Sequence, residues 1–219
     1  MIKSLAAEAL GAFVWVAAVC GAMLISTASG ILGVALCVGL SVAAMMAVFP
    51  GGHFNPAVTL GALAAGRVSP GRAVAYVVVQ VIGASLAALL FFILLSSTAG
   101  YTPVDFAANG YGSHSPGGFS ANAVFLVESC LTALLVFIVL ALTGSSLAPL
   151  IIGGAIAAFH LMSFPIDNTS LNPARSTATA LFAEGWAVSQ LWLFWIATML
   201  GGVIGGLLSR WLKPDHQLD

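Results

Sequence analysis

Two copies of the tripeptide Asn-Pro-Ala, at residues 55–57 and 172–174, are the feature of this sequence best suited to recognising a small molecule. Asn is a favoured N-cap residue and Pro fits the first helical position, so each copy predicts the start of a short helix. Each Asn amide also carries N–H donors for a molecule with an acceptor oxygen. A single Asn-Pro pair is compatible with a surface turn, but a second copy in the other half of the chain favours a paired site.

Arg175 lies three positions after Asn172, in the first turn of the second predicted short helix. An arginine at membrane depth is costly and usually functional. The alternative is an arginine whose side chain snorkels to the outer interface. The position about one turn from Asn172 favours a side chain directed toward the site.

The composition places these segments in a membrane. The chain has 219 residues, of which 60% are hydrophobic and 6% charged, whereas soluble domains carry about 25% charged residues. So few charges cannot cover a water-facing surface, and no basic patch indicates a nucleic-acid partner. The sequence also has no H-E-x-x-H, no G-x-S-x-G and no paired catalytic carboxylates, so we expect no enzyme activity, no metal and no cofactor.

Six apolar runs are long enough to cross a bilayer, which needs about 20 mainly apolar residues. They cover residues 4–25, 31–49, 73–95, 121–142, 149–165 and 189–212. The connections at 26–30 and 96–120 contain no Lys or Arg, whereas the termini and the connection after the second run carry Lys3, Arg67, Arg72, Arg210 and Lys213. The positive-inside rule therefore predicts that both termini are cytoplasmic. Neither Asn-Pro-Ala segment can then cross; the first enters and returns on the cytoplasmic side, the second on the outer side.

The two halves of the chain repeat each other. Glu8 and Glu128 lie early in the first and fourth runs, and Asn55 and Asn172 follow them by 47 and 44 residues. With three spans per half, the second copy is inverted in the membrane. The sequence thus predicts an all-α membrane protein with six transmembrane helices and two re-entrant half-helices. It forms one domain over 1–219, with repeats at roughly 1–95 and 121–212 joined by the loop 96–120.

Two re-entrant segments that meet at the membrane centre predict a pore, because irregular backbone at that depth must be buried in protein or line a cavity. Each half-helix N-terminus carries roughly half a positive charge. Such a centre repels cations and suits a neutral molecule with an acceptor oxygen. The turns before each Asn should direct carbonyl groups into the lumen, from Gly51, Gly52, His53 and Phe54 and from Asn168, Thr169, Ser170 and Leu171.

Residues 52–59 (GHFNPAVT) and 168–176 (NTSLNPARS) resemble the two signature loops of the aquaporin, or major intrinsic protein, family, and especially its bacterial water channels. The resemblance covers essentially the whole chain, including the Ser-Pro-Gly-Gly loop at 115–118. It implies a passive water channel that excludes protons and ions through pore width, lining donors and half-helix dipoles. It also implies a homotetramer, with one pore per subunit, in the lipid bilayer of the inner cell membrane.

The resemblance further implies a narrower selectivity filter near the outer mouth, formed by Arg175, His160, Thr169 and one residue of the second span. His160 and Arg175 would set its width and offer donors. Water-selective members carry His at that position, and glycerol-conducting members tend to have Asp where this chain has Ser176. Both features favour water over the alternative, a facilitator of glycerol or other small neutral solutes.

Matching residues 39–42 to the family places Val38 where water channels usually have Phe in the filter. The interval from there to Asn55 is about three residues shorter than the family pattern. Three residues turn a helix by about 60° and shift it by about 4.5 Å, so either the cytoplasmic end of this span is shorter or its register differs. With Val38 in the filter, the mouth is wider and less aromatic, and small neutral solutes could leak through.

Glu8 and Glu128 admit two interpretations. Buried carboxylates at these depths could couple protons or ions in a secondary transporter, which also uses inverted repeats and broken helices. The resemblance instead implies a supporting role, in which each carboxylate accepts N–H bonds from the irregular loop backbone.

Overall fold

The computed structural model describes residues 1–26 and 30–212 of the chain. Residues 27–29 and Lys213, on which the predicted orientation partly rests, lie outside the described residues. The helices in chain order are α1 (Ile2–Cys20), α2 (Gly30–Val48), α3 (Pro56–Ala64), α4 (Pro70–Ser96), α5 (Ala121–Ala141), α6 (Ala148–Asp167), α7 (Pro173–Ala180) and α8 (Gly185–Leu212). A π-helical turn at Gly21–Ile25 continues α1, and a single 3₁₀ turn at Gly112–His114 lies in the connection between α4 and α5.

Six of these helices are long and apolar enough to cross a membrane, which confirms the predicted fold class. The largest difference from the predicted bounds is at α8, which begins at Gly185, four residues before the predicted run. The other two helices, α3 and α7, have only 9 and 8 residues. At 1.5 Å per residue each is about 12 to 14 Å long, less than half of a hydrocarbon core of about 30 Å.

The packing of the helices follows the internal repeat. Helix α1 packs on α4 as α5 packs on α8, and α2 packs on α6 across the boundary between the halves. The short helices cross over: α3 packs against α8 of the second half, and α7 against α4 of the first. Each half therefore helps to hold the half-helix of the other.

The α2–α6 contact is closest at Gly39 and Gly153. A Cβ atom built on Gly39 would lie 2.5 Å from the Gly153 carbonyl oxygen, and one on Gly153 would lie 2.5 Å from the Gly39 carbonyl oxygen. Both obstacles are backbone atoms, which cannot move aside as a flexible side chain can. Small residues at such a crossing allow two membrane helices to approach closely.

We predict that Gly153→Ala destabilises the protein by about 1–3 kcal/mol, because the added methyl group forces α2 and α6 apart. Gly154→Ala is the matched control, since a Cβ atom at Gly154 meets nothing within 4 Å. Thermal unfolding of both variants in the same detergent measures the difference. Equal unfolding temperatures for the two variants would contradict the close crossing.

Candidate functional site

The two Asn-Pro-Ala segments each begin a half-helix with a side-chain cap. Asn55 Oδ1 accepts a hydrogen bond of 2.8 Å from the Ala57 amide. Asn172 Oδ1 accepts from the Ala174 amide at 3.0 Å and, more weakly, from the Arg175 amide at 3.4 Å. The proline that follows each Asn lacks an N–H, so the cap goes to the next amide in the turn.

The same two asparagines join the half-helices to each other. Asn55 Nδ2 donates to the Leu171 carbonyl oxygen at 2.8 Å, and Asn172 Nδ2 donates to the Phe54 carbonyl oxygen at 3.1 Å. Each acceptor is the residue immediately before the other asparagine, and all four residues are buried. We call these four residues the junction. Because an amide NH2 has two hydrogens, each asparagine keeps one donor beyond its bond within the junction.

A buried carboxylate supports the irregular backbone on each side of the junction. Glu8 accepts from the amides of His53 at 2.8 Å and Phe54 at 2.6 Å. In the second half, Glu128 accepts from the amides at positions 170 and 171, at 2.7 and 2.8 Å. Phe54 and Leu171 both have φ near +55°, a conformation costly for residues other than glycine. Each carboxylate holds this backbone by binding the amide of the positive-φ residue and the amide before it.

Gln80, which was not among the residues predicted from the sequence, forms a hydrogen bond with the Glu8 carboxylate. Its Nε2 donates to Glu8 Oε2 at 2.7 Å and lies 2.9 Å from Thr59 Oγ1. The side chain is fully buried in α4. The sequence signal available was that Gln80 is the one amide side chain in the apolar run 73–95.

Arg175 is buried and held by backbone carbonyls rather than extended to an interface. Its Nη1 donates to the Ala107 carbonyl oxygen at 2.8 Å and to Asn109 Oδ1 at 2.6 Å. Its Nη2 donates to the Asn168 carbonyl oxygen at 3.0 Å and lies 3.7 Å from Met23 Sδ. The loop 96–120 therefore provides part of the site, although its composition, rich in Gly, Ser and Asn, predicted only a connection between two spans.

His160 is buried on α6 with its Nδ1 2.8 Å from the Ile156 carbonyl oxygen. A carbonyl oxygen only accepts, so Nδ1 carries the hydrogen and Nε2 of the neutral ring is an acceptor. This differs from the expectation that His160 supplies a donor. Thr169, which lies just beyond the end of α6, is buried with its Oγ1 2.9 Å from Ser163 Oγ.

The remaining residues predicted to line the lumen divide into two groups. On one side of the junction, Gly51, Gly52 and His53 line a cavity of about 610 Å³ together with Arg67. The His53 ring bonds Thr59 through Nδ1 at 3.0 Å, so its side chain is fixed at that wall.

On the other side of the junction, Asn168 lines a cavity of about 250 Å³ with Met23 and Val34. Ser170 is buried, and its hydroxyl contacts that of Ser176. Val38 is fully buried one turn deeper than Val34 on α2, within the apolar core. The second span thus meets the smaller cavity through Val34, whereas Val38 lies one helical turn away in the apolar core.

Comparison with known proteins gives a consistent result. The sequence profile of the family described as "Major intrinsic protein" matches residues 1–209. The chain is 44% identical to "Aquaporin Z" of Bradyrhizobium diazoefficiens, over 98% of this chain and 95% of that protein. It is 42% identical to "Aquaporin Z" of Photorhabdus laumondii, over 99% and 100%. The X-ray structure of the aquaglyceroporin from Plasmodium falciparum superposes with a TM-score of 0.78 at 18% identity, covering 98% of this chain and 96% of that one, a likeness of fold alone.

We predict that Glu8→Gln lowers the stability of the protein by about 1–3 kcal/mol, the cost of a buried backbone donor without an acceptor. One of the two amides at 53 and 54 would face the new NH2 group instead of an oxygen. Glu184→Gln is the control, because Glu184 is exposed. Thermal unfolding measures both. A Glu8→Gln protein of normal stability with increased proton leakage would instead favour a proton-coupling carboxylate.

Proposed function

The chain belongs to the major intrinsic protein family, and we propose that it is a passive channel that conducts water in single file across a membrane. The observation that carries this proposal is the reciprocal bonding of Asn55 and Asn172 to the opposite loop carbonyls. It brings two helix N-termini together deep within a bundle of membrane-length helices. The 42–44% identity to two proteins named Aquaporin Z supports water as the permeant.

At the junction, the opposed N-termini repel cations. Each N-terminus acts as roughly half a positive charge, and in a buried site this charge is weakly screened. The free N–H of each asparagine would donate to the oxygen of one water molecule. A water molecule held through its oxygen directs its own hydrogens away from the junction in both directions. We propose that this orientation interrupts the chain of hydrogen bonds along which protons would otherwise pass.

We propose that size selection occurs at a constriction formed by Arg175, His160 and Thr169, on the same side as the smaller cavity. Arg175 contributes a fixed cation, since its guanidinium is bonded to loop carbonyls. His160 Nε2 contributes an acceptor, and Val38 an apolar wall on the side of the second span. Water can exchange bonds with both kinds of group, whereas a larger neutral solute must fit past them.

The loop carbonyls complete the proposed pathway. Gly51, Gly52 and His53 lead from the larger cavity to the carbonyl of Phe54. On the other side the path is lined by the carbonyls of Asn168, Ser170 and Leu171. Glu8 and Glu128 take a supporting role, because both of their oxygens are engaged by loop amides. No step of this mechanism makes or breaks a covalent bond, so we propose transport without catalysis.

The outer surface of the bundle supports a membrane setting. Large apolar side chains such as Leu40, Val74 and Leu150 are more than 60% exposed, as suits contact with lipid or with other subunits. We propose a homotetramer in the inner cell membrane with both termini cytoplasmic. Arg67 lines the larger cavity, so the positive-inside rule makes that cavity the cytoplasmic vestibule.

Stopped-flow light scattering on proteoliposomes tests the proposed function. We expect fast osmotic shrinkage in an impermeant osmolyte and slow re-swelling in glycerol. Glycerol entry as fast as water exit would contradict water selectivity and favour the solute facilitator. Uptake against a gradient that depends on protons or sodium would indicate a transporter.

We predict that the double variant His160→Ala/Arg175→Ala raises glycerol permeability about tenfold relative to water, since removing a few side-chain atoms from a selective pocket has effects of this size. Leu161→Ala is the control, because Leu161 neighbours His160 and is exposed on the outer surface of α6. The same stopped-flow assay measures both proteins. Unchanged glycerol exclusion in a folded double variant would remove these residues from the constriction.

A further inference from the structure

The two loop-supporting carboxylates have different neighbours in the two halves of the chain. In the first half, the buried amide of Gln80 donates to Glu8 at 2.7 Å. In the second half, the carboxyl group of Asp167 contacts that of Glu128 instead. Both acids are buried to within 1% of full burial. Glu128 thus has a second acid beside it, whereas Glu8 has an amide donor beside it.

Asp167 is the last residue of α6, and it forms hydrogen bonds with the second loop and with the connection between the two halves. Its Oδ1 accepts from the Thr169 amide at 2.9 Å, and its main-chain carbonyl accepts from Asn109 Nδ2 at 2.9 Å. Asn109 Oδ1 in turn accepts from Arg175 Nη1 at 2.6 Å. Asp167 is therefore bonded directly to one proposed filter residue, Thr169, and is linked through Asn109 to another, Arg175.

The second oxygen of Asp167 has no hydrogen-bond donor among the described residues, although it is buried. A buried carboxylate oxygen without a donor is strongly unfavourable, and two ionised carboxylates in contact also repel each other. One proton on Asp167 Oδ2 removes both costs, because the resulting O–H can donate to Glu128. The remaining single carboxylate charge then balances the nearby guanidinium of Arg175.

We propose that Asp167 is a positioning residue of the outer constriction, which keeps a proton on Oδ2, donates it to Glu128 and fixes Thr169 and Asn109 with its other two oxygens. The protonated acid does for Glu128 what the Gln80 amide does for Glu8. Asp167 itself does not line the pore in this arrangement. Its role in selectivity rests on the water-channel function proposed above, whereas the proton does not.

Infrared difference spectroscopy of the purified protein tests the proton directly. The chain has only seven Asp and Glu residues, so the carboxylic C=O region is simple. At neutral pH we expect wild type minus Asp167→Asn to contain a protonated-carboxyl C=O band, which shifts on exchange into D₂O. Wild type minus Asp105→Asn, at an exposed acid, should lack this band. Absence of the band in the Asp167→Asn difference would overturn the proposal.

Permeability of the same proteins tests positioning. Asp167→Ala removes both side-chain bonds, so we expect the ratio of glycerol to water permeability to rise about tenfold, as a discrimination worth about 1.4 kcal/mol would give. Asp167→Asn keeps an oxygen for Thr169 and supplies an N–H for Glu128, so its change should be several times smaller. Equal effects of the two variants, or an Asp167→Ala ratio equal to that of Asp105→Ala, would overturn the positioning role.

The two measurements separate this inference from the function on which it rests. A wild-type protein without water flux contradicts the proposed channel, while the infrared band still decides whether the carboxyl pair holds a proton. Normal water flux without the band contradicts the inference alone. If Asp167→Ala does not fold, the Asp167→Asn spectrum and permeability decide the outcome.

Discussion

The reciprocal hydrogen bonds of Asn55 and Asn172 are the interaction on which the rest of the structure depends. A helix that starts in the middle of a membrane exposes backbone N–H groups that neither lipid nor the helix itself can satisfy. Here each asparagine caps its own helix with one atom and binds the opposite loop with another. The unsatisfied groups of two broken helices thereby become a single polar junction. The cross-packing of α3 on α8 and α7 on α4 holds that junction in place.

The repeat is symmetric in its helices and asymmetric in the groups that support its loops. The first loop is braced by Glu8 and the Gln80 amide and opens onto the larger cavity. Glu128 braces the second loop together with Asp167, and the cation of Arg175 is bonded to the long connection between the halves. A second acid and the cation of Arg175 thus lie beside the second loop, whereas the carboxylate of the first loop has a neutral amide beside it. In the proposed mechanism, size selection accordingly occurs on the side of the second loop and cation repulsion at the centre.

The sequence predicts the scaffold well because each span is a local property. The lengths of the apolar runs predict six spans, and Asn followed by Pro predicts where each half-helix begins. The structure has six such spans, and the amides of Ala57 and Ala174 donate to the capping asparagines. Three supporting residues that bind distant parts of the chain, Gln80, Asn109 and Asp167, were not predicted. Asn109 lies in a loop without a periodic pattern, and Asp167 looks like an ordinary helix end. Which of Val34 and Val38 meets the smaller cavity depends on the register of α2, and the shorter connection to Asn55 leaves that register undetermined in the sequence.

In the proposed mechanism, two opposed, asparagine-capped N-termini exclude cations while water passes. Sodium and proton flux into proteoliposomes that carry Asn55→Asp/Asn172→Asp measures this most directly, with Asn122→Asp, at an exposed position of α5, as the control. A carboxylate at each cap offsets the positive ends of the helices. We expect cation flux through the double variant and none through the wild type or the control. A folded, water-conducting double variant that remains impermeable to both cations would contradict it.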